Sequence, residues 1–201
     1  DRLRLYWSHC GSYRLNHAKL MGTPPVASLA DIVALGKEVR MKGYTALKTN
    51  IFMFDRGEPY MHQPGFGRID GWPELNADRR ILDTITAQMA AFKEGAGPDV
   101  ELLLDLNFNF KTEGYCRVAR AVQPFDLLWL EIDLFDPAAL AQVRRSAAVP
   151  IASCESLFGR RQFRPYLDQQ SMDVAIVDVP WNGILESVKI AAMAEAYEVN
   201  C

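Results

Sequence analysis

The chain has 201 residues, 49% of them hydrophobic and 23% charged, with a formal net charge of −3. Such a chain can bury one sizeable globular core, and without a Lys/Arg-rich block it offers no footprint to nucleic acid or an anionic membrane. No apolar run approaches the roughly 20 residues of a membrane span.

The opening Asp1-Arg-Leu-Arg leads into Tyr-Trp-Ser-His, so no secretory leader is expected there. Cys10, Cys116, Cys154 and Cys201 form neither a CxxC pair nor a Cys/His zinc spacing. A reducing, cytoplasmic setting fits them.

Alternation in Leu3-Arg-Leu-Tyr-Trp7 predicts a first strand, followed by a loop carrying His17 and Pro24-Pro25. Ser28-Leu-Ala-Asp31 resembles a capping box and predicts a helix to about Lys42, stopped by Gly43. Thr45–Ile51 is the second strand. From Phe52 to about Asn76 no regular period holds, but five aromatics argue against disorder, so a lid over the mouth is expected. The helix 77–94 closes on Gly95-Ala-Gly-Pro.

A regular repeat follows: strand 100–104 and helix 112–122, then strand 127–130 and a helix opened by Asp136-Pro137. Strand 150–153 leads to a short helix over 160–167, and strand 174–177 to a helix over 184–197. Six βα units without a linker predict one α/β domain, strands one to six of a (β/α) TIM-type barrel. A doubly wound sheet competes, but no GxGxxG or Walker-type loop supports a nucleotide site.

Three of the apolar runs end on carboxylates, Asp105, Glu131 and Glu155, at intervals of 26 and 24 residues. That is about one βα unit, so parallel winding brings all three to one mouth. A single acidic residue after a strand is most simply the cap of the next helix. Three at matching intervals form an anionic cluster that needs a cation, and hard oxygen donors suit Mg²⁺.

Asp105-Leu-Asn107, Trp129-Leu-Glu131 and Ser153-Cys-Glu155-Ser resemble the enolase superfamily, in its mandelate racemase and muconate lactonizing branch. Gly43-Tyr-Thr-Ala-Leu-Lys48 upstream and Asp173-Val-Ala-Ile-Val-Asp178 downstream extend the likeness over nearly the whole chain. The resemblance implies that Asp105, Glu131 and Glu155 bind Mg²⁺, which holds the carboxylate of a sugar-acid substrate. A base then removes the proton beside that carboxylate, while the metal stabilises the developing charge. It implies that Lys48 is a catalytic or carboxylate-binding lysine, its pKa lowered by the metal, against the plainer reading of a surface lysine at a strand end, and that Asp178 orients a His on a seventh strand. Asn107, two residues past the first ligand, is expected on the same face of the mouth, to hydrogen-bond a ligand or the substrate, against the plainer reading of a loop-capping Asn.

Lys48-Thr-Asn50 departs from the Lys-x-Lys of the family's racemases and is similar to the Lys-x-Asn of some sugar-acid dehydratases, with Asn50 at the substrate. His62, in the lid, is a candidate acid for a leaving hydroxyl, against the plainer reading of a solvated loop residue. His9 and His17 are weaker candidates for substrate contact. Arg160-Arg161 could steer an anion, although exposed helix-start residues are the simpler reading. Asp173 is a lesser alternative to Asp178.

The resemblance implies a magnesium-dependent hydro-lyase acting on a sugar acid, in a homo-oligomer. A racemase, epimerase or cycloisomerase of the same superfamily comes second, and a barrel that binds metal and carboxylate without turnover third. By its length the chain is expected to be a fragment, without the N-terminal capping domain and the last barrel strands. On its own it is expected to aggregate.

Overall fold

The structure, a computed structural model, describes residues 3–67 and 77–201. Its centre is a five-stranded, wholly parallel sheet of β1 (Ala46–Thr49), β4 (Glu101–Asp105), β5 (Trp129–Glu131), β6 (Ile151–Ser153) and β7 (Val174–Ala175), in that order. Between β1 and β4, β2 (Phe52–Met53) and β3 (Tyr60–Met61) form a small antiparallel hairpin. The helices before and between the strands are α1 (Ser12–Asn16), α2 (Ala18–Met21), α3 (Leu29–Met41), α4 (Arg79–Ala96), α5 (Thr112–Val122), α6 (Pro137–Ser146) and α7 (Gly159–Asp168). After β7 come α8 (Val179–Asn182) and α9 (Ile184–Ala196). Strand neighbours follow chain order, the winding of an incomplete (β/α) barrel.

Local chemistry accounts for the helix starts. Ser28 accepts the Asp31 backbone N–H, and the Asp31 carboxylate takes the Ser28 hydroxyl and the Ala27 N–H, as the capping signal predicts. Asp136 accepts the N–H groups of Ala138 and Ala139 ahead of Pro137 at the first turn of α6. Helical periodicity then chooses the buried faces: Ile81, Ile85, Met89 and Phe92 on α4, Tyr115, Val118, Ala119 and Val122 on α5. These faces pack on strands such as β4, whose three leucines are all buried.

Three expectations need correction. The first strand shrinks to a single parallel bridge, Trp7 to Leu47. Leu3 and Leu5 are 89% and 71% exposed, so the alternation there has no buried face to serve. The loop with His17 contains two short helices, α1 and α2, the first anchored where the buried Arg14 pairs with Glu38 of α3 at 2.7 and 3.0 Å. Finally, the aperiodic stretch after β1 holds the β2–β3 hairpin, whose two-residue strands are too short for any pattern to register. The rest of the expected lid, residues 68–76, lies outside the described residues.

Candidate active site

The C-terminal ends of the strands carry the polar residues. In-register pairing places Asp105 of β4 beside Glu131 of β5, and Lys48 lies one strand away on β1. Lys48 Nζ donates to both carboxylate oxygens of Glu131 at 2.9 Å and stands 3.6 Å from Asp105 Oδ2. All three side chains are buried, at 5%, 2% and 3% exposure. A second donor, Trp129 Nε1, reaches Glu131 Oε2 at 3.3 Å.

Burial opposes every charge in this group. It pushes the Glu131 carboxyl well above the usual carboxylate range, and Asp105 adds to the shift while Lys48 pulls against it. For Lys48 burial alone would lower the pKa, but Glu131 and Asp105 outweigh it and hold the ammonium above its ordinary value.

Glu155 is half-buried just past β6. Burial raises its pKa, Asp105 and Asp178 raise it further, and Lys48 and His9 oppose them. The buried Cys154 before it has φ 84°, a left-handed conformation that a side chain resists, so the turn presenting Glu155 is held under strain. Asp178 caps α8 through the Trp181 N–H. Asp173 is engaged at the other end of its strand by Arg144 at 2.8 Å and by the Ile151 N–H.

The Asn50 amide is committed within the fold. Its Oδ1 accepts from Ser12 Oγ at 2.7 Å, and its Nδ2 donates to the Asp105 carbonyl at 3.3 Å. Asn107 lies beyond β4 in a left-handed turn, φ 47°, so strand alternation does not aim it. Its N–H donates to Asp105 Oδ1 at 2.9 Å and orients that carboxylate.

His62 stands apart, buried beside Phe110 and lining a cavity of about 300 Å³ with Arg56, Tyr60, Gln63 and Arg80. Burial, reinforced by Arg80, lowers its pKa to about 4. His9 is exposed, with Nδ1 3.4 Å from Asn50 Oδ1, and His17 is exposed at the α1–α2 junction. Arg160 and Arg161 are exposed at the start of α7, where Arg160 approaches Glu186 at 3.7 Å.

Sequence reasoning missed two residues here. Asp133 is buried two positions past Glu131, and burial with Glu155 and Asp105 pushes it up to about 6. The alternation argument applied to Asn107 would have found it. Gln88 interrupts the apolar stripe of α4, accepts the Phe52 N–H at 2.9 Å and donates to the Asn50 carbonyl at 2.7 Å. A polar residue on an apolar face was its signal.

The enolase C-terminal domain-like family matches residues 31–201. The chain belongs to that family. A Burkholderia xenovorans strain LB400 protein, under the provisional name L-alanine-DL-glutamate epimerase, is 48% identical over the whole chain with a TM-score of 0.94. The chain covers 50% of it, and a second structure of that protein is described as bound to magnesium and fumarate. A mandelate racemase/muconate lactonizing enzyme-like protein from Rubrobacter xylanophilus is 29% identical, TM-score 0.77, with 96% of this chain and 48% of that one covered. The D-gluconate/D-galactonate dehydratase of Picrophilus torridus is 26% identical over 83% of this chain, and the D-galactonate dehydratase of Cronobacter sakazakii 30% over 69%. This enolase-superfamily chain spans 39% and 38% of those two relatives.

Among the described residues no three of His, Cys, Asp and Glu are close enough together to hold a metal ion. Lys48 lies between Asp105 and Glu131. The donor chemistry nevertheless fits a hard divalent cation: Asp105, Glu131, Asp133 and Glu155 influence one another electrostatically, and Lys48 is the ammonium bonded among them.

Proposed function

We propose that this chain is the barrel portion of a magnesium-dependent enzyme that removes the proton alpha to a carboxylate and, on a sugar acid, expels the neighbouring hydroxyl as water. The observation that carries this reading is the buried Lys48–Glu131–Asp105 group at adjacent strand ends, with Glu155 and Asp133 beside it. Several carboxylates sharing one lysine have unmet demand for positive charge.

Asp105, Glu131 and Glu155 would hold the cation, which supplies a Lewis acid for the substrate carboxylate. Lys48 stands where a base is needed, and an ammonium there can also return a proton. Asn107 fixes the rotamer of Asp105, and Trp129 that of Glu131. Gln88 and Ser12 hold Asn50, which in turn bonds the end of β4. Asp178 is our assignment for the carboxylate of an Asp–His pair on the opposite face.

Dehydration is favoured by the Lys-x-Asn sequence and by the dehydratase names of the curated relatives. Epimerisation is the second reading, favoured by the name of the 48%-identical Burkholderia protein. A cytoplasmic site fits the four free cysteines. No helix among the described residues is long and apolar enough to cross a membrane.

The test is to incubate the intact protein with Mg²⁺ in D₂O, offering D-galactonate, D-gluconate and alanyl-glutamate dipeptides. Deuterium at the alpha carbon reports proton abstraction, while water loss or inversion separates the two readings. No exchange on any carboxylate would overturn both.

A further inference from the structure

Lys48 stands between Asp105 and Glu131, the two carboxylates proposed above to share a cation. Its Nζ is 2.9 Å from each Glu131 oxygen and 3.6 Å from Asp105 Oδ2, and each of the three side chains is at least nine-tenths buried. Asp105 and Glu131 stand in register on hydrogen-bonded parallel strands, so their side chains leave the sheet as neighbours on one face. Two anions held this close out of water need a counter-ion at all times.

Among the described residues, no other cation bonds these two carboxylates. Trp129 Nε1 reaches Glu131 at 3.3 Å, and the Asn107 N–H reaches Asp105 at 2.9 Å, but both donors are neutral. The face of Tyr6 lies 5.9 Å from Nζ, a further site for an ammonium.

We propose that Lys48 is a built-in counter-ion for the cation-free enzyme. Its ammonium and a divalent cation compete for Glu131 and Asp105, and cation binding expels Nζ from between them. This rests on the metal reading above and adds to it a second role for Lys48.

The test uses intact protein stripped with EDTA and titrated with Mg²⁺ by calorimetry. Lys48→Met removes the competitor: it should melt lower than wild type without Mg²⁺, bind Mg²⁺ about tenfold or more tightly, and gain more in Tm on saturation. Lys48→Arg, with a fork that holds both carboxylates, should restore the metal-free Tm and weaken Mg²⁺ binding. Equal or weaker binding by Lys48→Met, with wild type binding normally, overturns the competition and leaves the metal reading standing. If neither protein binds Mg²⁺, both fall.

Should Lys48→Met fail to fold, wild-type protein labelled with ¹⁵N-lysine decides. One exchange-protected ammonium signal is expected without Mg²⁺, shifting or vanishing with the midpoint of the titration. A protected signal unmoved at saturation overturns the proposal.

Discussion

At the scale of single residues, burial and charge partners set the behaviour of the site. Lys48 is the side chain with most at stake in the proposed chemistry. Lys48→Ala in the intact enzyme is expected to lower kcat by about 10²–10⁴-fold, the usual worth of a positioned acid–base group. Steady-state kinetics on the substrate found by deuterium exchange would check this, and an unchanged kcat would remove Lys48 from the reaction. His62 makes a different prediction. Its folded pKa of about 4 lies below the 6.5 of an exposed imidazole, so the unfolded chain binds the proton first. The stability that neutral His62 contributes is complete above about pH 6.5 and is lost as pH falls towards 4. The loss amounts to at most about 3 kcal/mol, because each tenfold difference in proton affinity between the two states is worth about 1.4 kcal/mol. Urea unfolding between pH 7 and 4.5 should show a shallower fall for His62→Gln than for wild type, and parallel curves would contradict the assignment.

At the scale of elements, the tightest constraint is the crossing of α3 and α4. A Cβ on Gly95 would stand 2.0 Å from the Val33 carbonyl oxygen, and one on Gly36 would stand 2.7 Å from the Ala96 nitrogen. Both obstacles are backbone, so the helices themselves must separate. Gly95→Ala is expected to destabilise by about 3 kcal/mol, the upper part of the overpacking range, which is about 6–12 °C in Tm for a chain of this size. Calorimetry showing an unaltered Tm would mean that the helices do not approach this closely. Loss of the α6 cap gives a smaller benchmark. Asp136→Ala removes the acceptor for two N–H groups and should cost about 1 kcal/mol.

At the scale of the whole molecule, the sheet is the frame that makes the site. Two of its five strands end on an acidic side chain and two more are followed by one within three residues, and one parallel winding puts those ends on one face. Cation binding should therefore couple to global stability, because the proposed ligands lie on successive strands. Mg²⁺ at about 100 times its Kd is expected to stabilise the intact protein by about 2.7 kcal/mol, about 5–10 °C in Tm, reversibly with EDTA. A melting curve indifferent to Mg²⁺ would remove the metal from the proposed function.

Much of this was legible in the sequence because it is local. Apolar runs of four or five residues, the Ser28 and Asp136 caps, and carboxylates spaced one βα unit apart report on the chain within a few turns of themselves. The family pattern around Asp105, Glu131 and Glu155 supplied the proposed ligand set. What only the tertiary structure decided involves contacts between residues far apart in the chain. Lys48 reaches Glu131 across 83 positions, and Gln88 turns from an apolar helix face to hold the Asn50 carbonyl 38 positions away. The fate of Leu3–Trp7 likewise depended on whether anything covers it, and nothing in its alternation could say so. Burial is a property of the packed chain, so the lysine seated between two carboxylates became visible only there.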